Sequence, residues 1–259
     1  MSIVYIVLPT YNEEGNIAPL LEKIRTSLQG RVVYKLVIVD DGSTDHTPDL
    51  LKTRQSIHPM TVLRHSPNKG LGQSIRTAFT HLSPLLVHDD FVVTMDADNT
   101  QDPSLIPRML QLSHEGNIDV VIASRFRTGA AEIGVPTYRR ILSRLAGGLM
   151  RCLFPIPNVR DYTSGYRLYK ATAIQSVMAR FGDSWLESTG FSCMAELLIK
   201  LSLLSPALKF SEIALILRYN LKVGQSKIKV IWTVFRYFQM SYQLKKLSVY
   251  NKGKKEISS

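Results

Sequence analysis

The sequence contains little cysteine and no long apolar run. Only Cys152 and Cys193 occur among 259 residues, far apart and without C-x-x-C spacing, so neither a disulfide framework nor a zinc site is indicated. No segment approaches the roughly 20 unbroken apolar residues of a membrane span. The first apolar run ends at Pro9 and has no basic leader, which argues against a signal peptide. We therefore expect a protein of a reducing compartment that does not cross a bilayer.

Acidic residues are fewer than basic ones, 21 against 32, which gives a formal net charge of +11. The excess is concentrated at one end, because residues 222–259 contain nine Lys or Arg and one acidic residue, Glu256, a local charge of +8. This distribution predicts that the C-terminal end contacts an anionic surface, either lipid headgroups or nucleic acid. A solubilising, partly disordered tail is the alternative for residues 250–259.

Short runs rich in β-branched residues alternate with stretches of helical periodicity. The predicted strands cover residues 3–8, 33–39, 60–65, 91–95 and 119–124, and the predicted helices between them cover about 14–29, 46–57, 69–83 and 103–115. This alternation is typical of βαβ units, so we expect an α/β domain with a mostly parallel sheet flanked by helices. Functional residues should then lie at the carboxyl ends of the strands.

The loops after the predicted strands are rich in acidic side chains. PTYNEE follows the first strand, DDGSTD the second and DADNTQD the fourth. Turn formation does not account for the five carboxylates of this rim, which are Glu13, Asp40, Asp41, Asp96 and Asp98. Their mutual repulsion requires a counter-charge. Mg²⁺ or Mn²⁺, which bind one or two carboxylates together with substrate phosphates, would supply it at Asp96 and Asp98. Asp102, which precedes a proline, is instead typical of a helix N-cap.

Seven motifs, taken in order, resemble the inverting family-two glycosyltransferases with the GT-A fold. They are PTYNEE, VDDGSTDHT, NKGLGQSIRTAF, MDADNTQDP, ASRF, RRILSRLAGGLMR and DYTSGYRLY. The most similar branch contains the dolichol-phosphate mannose synthases and their bacterial polyprenyl-phosphate relatives. A single D-x-D is a weak signal, but seven ordered motifs are a specific one. The likeness covers about residues 3–227, so it implies a GT-A catalytic domain over residues 1–227 with a Rossmann-like, nucleotide-binding sheet.

The resemblance implies a donor site for a nucleoside-diphosphate sugar carrying GDP or UDP. The residues that it assigns to donor binding are Pro9, Tyr11, Glu13, Asp40, Asp41, Gly70 and Asp96. The D-x-D carboxylates Asp96 and Asp98 would hold the Mg²⁺ or Mn²⁺ ion. The mannose synthases also have a metal-binding Gln two positions after the second Asp. This chain has Thr100 there, and Gln101, one step later, is the third metal ligand that the resemblance implies.

The resemblance also implies a site for the phosphate of a lipid acceptor. It assigns phosphate binding to Arg125, and to Arg139 and Ser143 at the start of a helix predicted over residues 139–154. Physical chemistry agrees, because arginine forks match phosphate oxygens and a helix N-terminus adds its dipole. For Arg144 and Arg151 the solvated face of an ordinary amphipathic helix is the alternative.

The ionisation of the acceptor decides whether catalysis needs a general base. A phosphate monoester has a second pKa of about 6 and is largely ionised at neutral pH, so it needs none. The protein would then position and neutralise two anions, with Asp98 and its metal on the leaving side and Arg125 and Arg139 on the attacking side. If the acceptor is a sugar hydroxyl, Asp161 of the D-x-x-S-G-Y-R segment is the candidate base.

Residues 228–244 have the pattern of an amphipathic helix with a wide apolar face, aromatic residues and basic edges. Such a helix suits the membrane interface, and packing on the catalytic domain is the alternative. We therefore expect a second unit over residues 228–259, consisting of a basic amphipathic helix and tail. The protein would be peripheral at the cytoplasmic (inner) face of a membrane, bound there directly or through a membrane protein.

The leading hypothesis is a metal-dependent transfer of a hexose, mannose or glucose, to a polyprenyl phosphate, either dolichyl or undecaprenyl. Leu221 stands where mannose synthases have an Arg before G-x-S-K, so the sugar stays open. A second hypothesis changes the acceptor to a polysaccharide or another hydroxyl. A nucleic-acid-binding protein would not explain the acidic rim, and a non-enzymatic nucleotide-sugar sensor would not need Arg125, Arg139 and Ser143. We therefore expect no nucleic-acid partner.

Overall fold

A computed structural model describes residues 2–224, 237, 239–242 and 244–245. The strands are β1 Val4–Thr10, β2 Tyr34–Asp40, β3 Met60–Arg64, β4 Phe91–Thr94, β5 Val120–Ser124, β6 Ala131–Ile133, β7 Arg167–Lys170, β8 Phe210–Ala214 and β9 Ile216–Arg218. The α-helices are α1 Ile17–Leu28, α2 Thr47–Arg54, α3 Leu71–Leu82, α4 Ile106–Gly116, α5 Thr137–Leu153, α6 Ala171–Phe181 and α7 Cys193–Ser202. Three short 3₁₀ helices cover Pro103–Leu105, Gly182–Trp185 and Tyr219–Leu221.

Seven strands form one sheet in the order β3-β2-β1-β4-β7-β5-β8, and β6 pairs with β9 in a small second sheet. The pairs β1–β2, β1–β4, β2–β3 and β5–β8 are parallel, whereas β7 runs antiparallel between β4 and β5. The mostly parallel α/β fold that the sequence predicted is therefore confirmed. The five predicted strands occur as β1 to β5, with every end within two residues of its prediction.

The two faces of the sheet are covered by different helices. In β1, Val4, Ile6 and Leu8 belong to the core cluster that α1, α2 and α4 complete. Tyr5 and Val7 point the other way, into the cluster that contains residues of α3, α6 and α7. Successive side chains of a strand point to opposite faces, so a parallel strand buried on both sides is apolar throughout. The parallel pairing of β1 with β2 and with β4 places the carboxyl ends of these three strands at the same edge.

The start of α3 packs backbone to backbone on the loop that precedes α7. The Gly72 N–H donates to the Thr189 carbonyl at 2.9 Å, and a Cβ on Gly72 would lie only 1.7 Å from the Ser188 carbonyl oxygen. On its other side the loop is held by the buried Glu196 carboxylate, which accepts the backbone N–H groups of Glu187 at 2.9 Å and Ser188 at 2.7 Å. The loop is therefore fixed from both directions.

Gly72→Ala is expected to destabilise the protein by about 1–3 kcal/mol, because the new methyl group forces the backbone of residues 188–189 to move. Gly148→Ala is the matched control, since Gly148 lies within α5 and a Cβ there meets nothing within 4 Å. That control should instead gain about 0.5–1 kcal/mol from helix propensity. Urea unfolding of both variants measures the difference, and equal stabilities would contradict the backbone contact.

The helix predicted over residues 228–244 lies mostly outside the described residues. Those that are described are helical, and Tyr237, Met240 and Leu244 are buried in the core cluster that includes Met150 of α5. Tyr242 is exposed. These contacts agree with the alternative in which the segment packs on the catalytic domain, and the division at residues 227–228 stays a prediction. In the described part of the chain, no helix combines the length and apolarity needed to cross a bilayer.

Candidate active site

A cleft of about 450 Å³ opens at the carboxyl ends of the central strands. Predicted site residues from separate loops line it together: Pro9, Tyr11, Glu13, Asp41, Gly70, Asp96, Asp98, Gln101, Arg125, Arg139 and Ser143. Two others are buried and are not part of this lining. Asp40 accepts the Ser43 N–H at 3.0 Å and lies 3.3 Å from the Arg64 guanidinium, and Asp161 lies beneath Arg125. The topology therefore gathers most of the predicted site in one place.

Asp41 shapes the loop that leads into α3. Its two carboxylate oxygens accept the backbone N–H groups of Lys69 and Gly70, both at 2.8 Å. The His65 ring nitrogen Nδ1 lies 2.7 Å from the same carboxylate. Gly70 has φ +89°, a conformation that favours glycine, and it borders the cleft. Asp41 thus positions Gly70, and the direct contact of both residues with a nucleotide stays a prediction.

The D-x-D loop after β4 holds its two carboxylates in different ways. The Gln101 amide donates to Asp96 Oδ2 at 2.7 Å and accepts the Asp96 N–H at 3.0 Å, so Gln101 orients Asp96 in this arrangement. The Thr100 hydroxyl donates to Asp98 Oδ1 at 2.7 Å. The role of Gln101 as a metal ligand stays a prediction. As the sequence predicted, Asp102 caps the following turn, where its carboxylate accepts the Ser104 N–H at 3.0 Å.

The electrostatics of this loop favour a bound cation. Burial, reinforced by the negative charge of Asp98, raises the pKa of Asp96 to about 7. A desolvated carboxylate beside a second one is stabilised when a cation neutralises both. Within the described ranges, no group of three or more His, Cys, Asp or Glu side chains is placed to hold a metal ion. Two carboxylates that need further oxygen ligands fit an ion such as Mg²⁺, which is bound partly by substrate phosphates.

Lys222 is a site residue that the sequence analysis did not identify. Its ammonium lies 2.7 Å from Asp98 Oδ2, and its side chain is 11% exposed. Burial opposes the charge on Lys222, but Asp98 outweighs burial and raises the pKa of the amine. In the sequence, Lys222 is only the first of nine basic residues near the C-terminus. Nothing there pairs it with a carboxylate 124 positions away.

Arg125 and Asp161 form a two-pronged ion pair on the other side of the cleft. Arg125 Nε donates to Asp161 Oδ2 at 2.8 Å, Nη2 donates to Oδ1 at 2.7 Å, and the Arg125 backbone N–H adds a third bond at 3.0 Å. Burial acts to raise the pKa of Asp161, but the Arg125 guanidinium outweighs it and holds that pKa below its usual value. Asp161 is fully buried, so it anchors Arg125 at the cleft.

Helix α5 places Arg139 and Ser143 at the cleft. Arg139 donates to the Tyr219 hydroxyl at 2.9 Å, and its guanidinium lies 5.6 Å from the centre of that ring. Ser143 Oγ lies 3.3 Å from the Thr163 hydroxyl, which also accepts a bond from Arg125. Tyr219 and Thr163 were missed because the contacts join distant parts of the chain. Of the other arginines of α5, Arg140 is half-buried, whereas Arg144 and Arg151 are exposed, which agrees with the solvated-face alternative for those two.

The mostly parallel sheet, with helices on both faces and a cleft at its carboxyl edge, has the arrangement of the GT-A class of glycosyltransferase folds. Residues 5–178 match the family model of glycosyl transferase family 2, so the chain belongs to that family. It is 30% identical over 246 residues to a dolichol-phosphate mannosyltransferase from Pyrococcus furiosus, covering 94% of this chain and 64% of the relative. It is also 30% identical over 226 residues to an undecaprenyl-phosphate mannosyltransferase from Micrococcus luteus, covering 87% of each. The chain thus spans just under two thirds of the length of the Pyrococcus relative.

Solved structures share the fold at low identity. A glucosyl-3-phosphoglycerate synthase from Mycobacterium tuberculosis, crystallised with Mn²⁺, uridine diphosphate and glucosyl-3-phosphoglycerate, has a TM-score of 0.62 at 19% identity, covering 97% of this chain and 80% of that one. A crystal of the same enzyme with Mg²⁺ and uridine diphosphate has a TM-score of 0.63 at 18% identity, with the same coverage. The GT-A fold that the resemblance implied is therefore confirmed.

Proposed function

We propose that this protein transfers a hexose, with inversion, from a nucleoside-diphosphate sugar to a polyprenyl phosphate. The observation that carries the proposal is the Arg125–Asp161 pair. The carboxylate that would serve as general base for a hydroxyl acceptor is buried and holds an arginine instead. An acceptor that arrives already ionised does not need that base. The two mannosyltransferase relatives, whose names specify dolichol phosphate and undecaprenyl phosphate, support the same acceptor class.

The donor side of the proposal is a divalent ion at the D-x-D loop. Asp96 and Asp98 would hold Mg²⁺ or Mn²⁺, since they are two adjacent carboxylates of which one is strongly desolvated. When bound, the ion supplies positive charge to the departing diphosphate. Pro9, Tyr11 and Glu13 from the loop after β1 border the same part of the cleft and would contact the nucleotide.

The acceptor side combines phosphate ligands with an apolar helix surface. Arg139 and Ser143 line the cleft, next to Arg125. On the same helix, the side chains of Tyr138, Ile141 and Leu145 are 55%, 52% and 65% exposed. An exposed apolar surface beside a phosphate-binding cluster suits a ligand whose charged head continues into a hydrocarbon chain. Such a surface would also suit a peripheral position at a membrane, for which we propose the cytoplasmic face.

In the proposed reaction the residues of the chain position the two anions. Asp161 fixes the Arg125 guanidinium and Tyr219 orients Arg139, so both cations are in place before the acceptor arrives. The phosphate oxygen attacks the anomeric carbon as the bond to the nucleoside diphosphate breaks. The acceptor oxygen carries no proton, so no group has to remove one. Neutralisation by preorganised guanidinium groups is the main contribution of the protein on this side.

The protein is incubated with labelled GDP-mannose or UDP-glucose, with Mn²⁺ or Mg²⁺, and with dolichyl or undecaprenyl phosphate. We expect the label to appear in an acid-labile lipid.

Arg139→Gln should raise the KM for the lipid phosphate by about tenfold or more, because a charge-assisted bond is lost. Arg151→Gln is the matched control on the same helix, since Arg151 is exposed and does not line the cleft, so its KM should stay close to that of the unmodified protein. When a water-soluble glycan is added as a competing acceptor, label found only in that glycan would favour the hydroxyl acceptor and reject the lipid one.

A further inference from the structure

The segment that carries Lys222 is tied at two points to loops of the cleft. At one end, the Arg218 N–H donates to the Thr100 carbonyl of the D-x-D loop at 2.9 Å. At the other, Val223 exchanges two bonds with the Asn16 side chain, at 2.9 and 3.0 Å. A Cβ on Gly15 would lie 2.9 Å from Val223 Cγ1, so the approach is close. Residues 218–223 therefore hold the backbone of Lys222 beside the D-x-D loop.

The Lys222 ammonium contacts a carboxylate, Asp98, that would be a ligand of the proposed divalent ion. It contacts Asp98 Oδ2 at 2.7 Å, while the other oxygen, Oδ1, is occupied by the Thr100 hydroxyl and N–H. Both partners of the ion pair are largely buried, at 11% exposed for Lys222 and 14% for Asp98. The Tyr219 ring, 5.9 Å from the ammonium, adds a cation–π contact. A cation and a largely buried carboxylate in direct contact stay paired unless another cation replaces the first.

We propose that Lys222 is the resident counter-cation of Asp98 in the donor-free protein, and that a divalent ion must displace its ammonium from Oδ2 in order to bind. This inference depends on one part of the proposed function, the binding of a divalent ion by Asp96 and Asp98. Competition between two cations for one oxygen lowers the affinity of the site for metal alone. The ion would therefore bind weakly until the phosphates of a nucleotide add their own ligands and their negative charge.

The test is the affinity of the nucleotide-free, full-length protein for Mn²⁺, measured from the electron paramagnetic resonance signal of the free ion. Lys222→Met should bind Mn²⁺ about tenfold more tightly than the unmodified protein, a change in the range typical of coupled sites. Lys222→Arg keeps the competing charge and should bind close to the unmodified value. Lys35→Met removes an equal charge from an exposed position at the start of β2 and controls for net charge.

Unchanged or weaker Mn²⁺ binding by Lys222→Met would overturn the inference. Thermal unfolding shows whether each variant is folded, and Lys222→Gln provides a second neutral variant if Lys222→Met is not. Mn²⁺ binding in the presence of GDP or UDP, measured against the same nucleotide without protein, separates the two proposals. If the unmodified protein binds Mn²⁺ with nucleotide but Lys222→Met shows no gain without it, only the counter-cation role fails. If neither protein binds Mn²⁺ with nucleotide, the proposed metal site fails as well.

Discussion

Asp98→Asn is expected to lower kcat/KM for sugar transfer by at least about a hundredfold, the scale on which a preorganised charge at a reacting group contributes. The amide keeps an acceptor for the Thr100 hydroxyl but loses the ion pair with Lys222, so thermal unfolding is measured first to show that the variant is folded. The substitution removes the charge that would hold the ion at the donor diphosphate. Turnover of labelled nucleotide sugar measures the loss of kcat/KM. Calorimetry of GDP or UDP binding, with and without Mn²⁺, measures the loss of metal-dependent nucleotide binding.

Asp102→Asn is the matched control for that experiment. Asp102 lies on the same loop, but its carboxylate caps the turn at residues 103–105 by accepting the Ser104 N–H. Asn is as good an N-cap as Asp, so this variant should keep activity close to that of the unmodified protein. Unchanged metal-dependent nucleotide binding in Asp98→Asn would remove Asp98 from the proposed site.

Asp161→Ala is expected to cost about 3–5 kcal/mol of stability, the range for breaking a buried ion pair by removing one partner. The substitution leaves the Arg125 guanidinium, 14% exposed, without the carboxylate that binds it at two points. It also leaves the Thr163 and Ser164 N–H groups without their acceptor. Urea unfolding followed by circular dichroism gives the free energy of unfolding.

The exposed pair Glu22–Arg25 on α1 is the control for Asp161→Ala. Its side chains are 47% and 39% exposed and are screened by solvent, so Glu22→Gln should change the free energy of unfolding far less than Asp161→Ala does. If Asp161→Ala cost no more than this surface change, Asp161 would not be the anchor of Arg125. A folded Asp161→Ala protein with unchanged KM for lipid phosphate would show that Arg125 is positioned by something else.

Local patterns predicted most of the catalytic fold. The runs IVYIVL and FVVTM are apolar throughout because β1 and β4 lie inside the sheet with both faces covered. Antiparallel β7 was not predicted, although its first three residues, RLY, end the DYTSGYRLY motif. The four residues of β7 are too few to show a strand-like alternation of apolar and polar side chains. The position of β7 between β4 and β5 depends on which strand edges are still unpaired in the folded sheet.

The candidate site was predicted as a set of loops rather than as a set of contacts. Most of the residues assigned from motifs line one cleft, because parallel strands carry their carboxyl-terminal loops to the same edge. The partners of those residues were not predictable. Arg139 meets Tyr219, which lies 80 positions along the chain, and Asp98 meets Lys222, which lies 124 positions along.

The sequence by itself determined the α/β architecture and the order of the loops that follow the strands. It also determined that one loop contains a D-x-D pair and that arginines occur in the motifs assigned to the acceptor side. These follow from periodicity and residue type, which act over a few neighbouring residues. Only the tertiary structure decided that Asp161 is buried under Arg125 and that Lys222 holds Asp98. A charge inside a protein is stabilised by whatever group the packing brings within a few ångströms. Which group lies that close depends on the topology of the whole fold, because the partners of Asp161 and Asp98 come from distant parts of the chain.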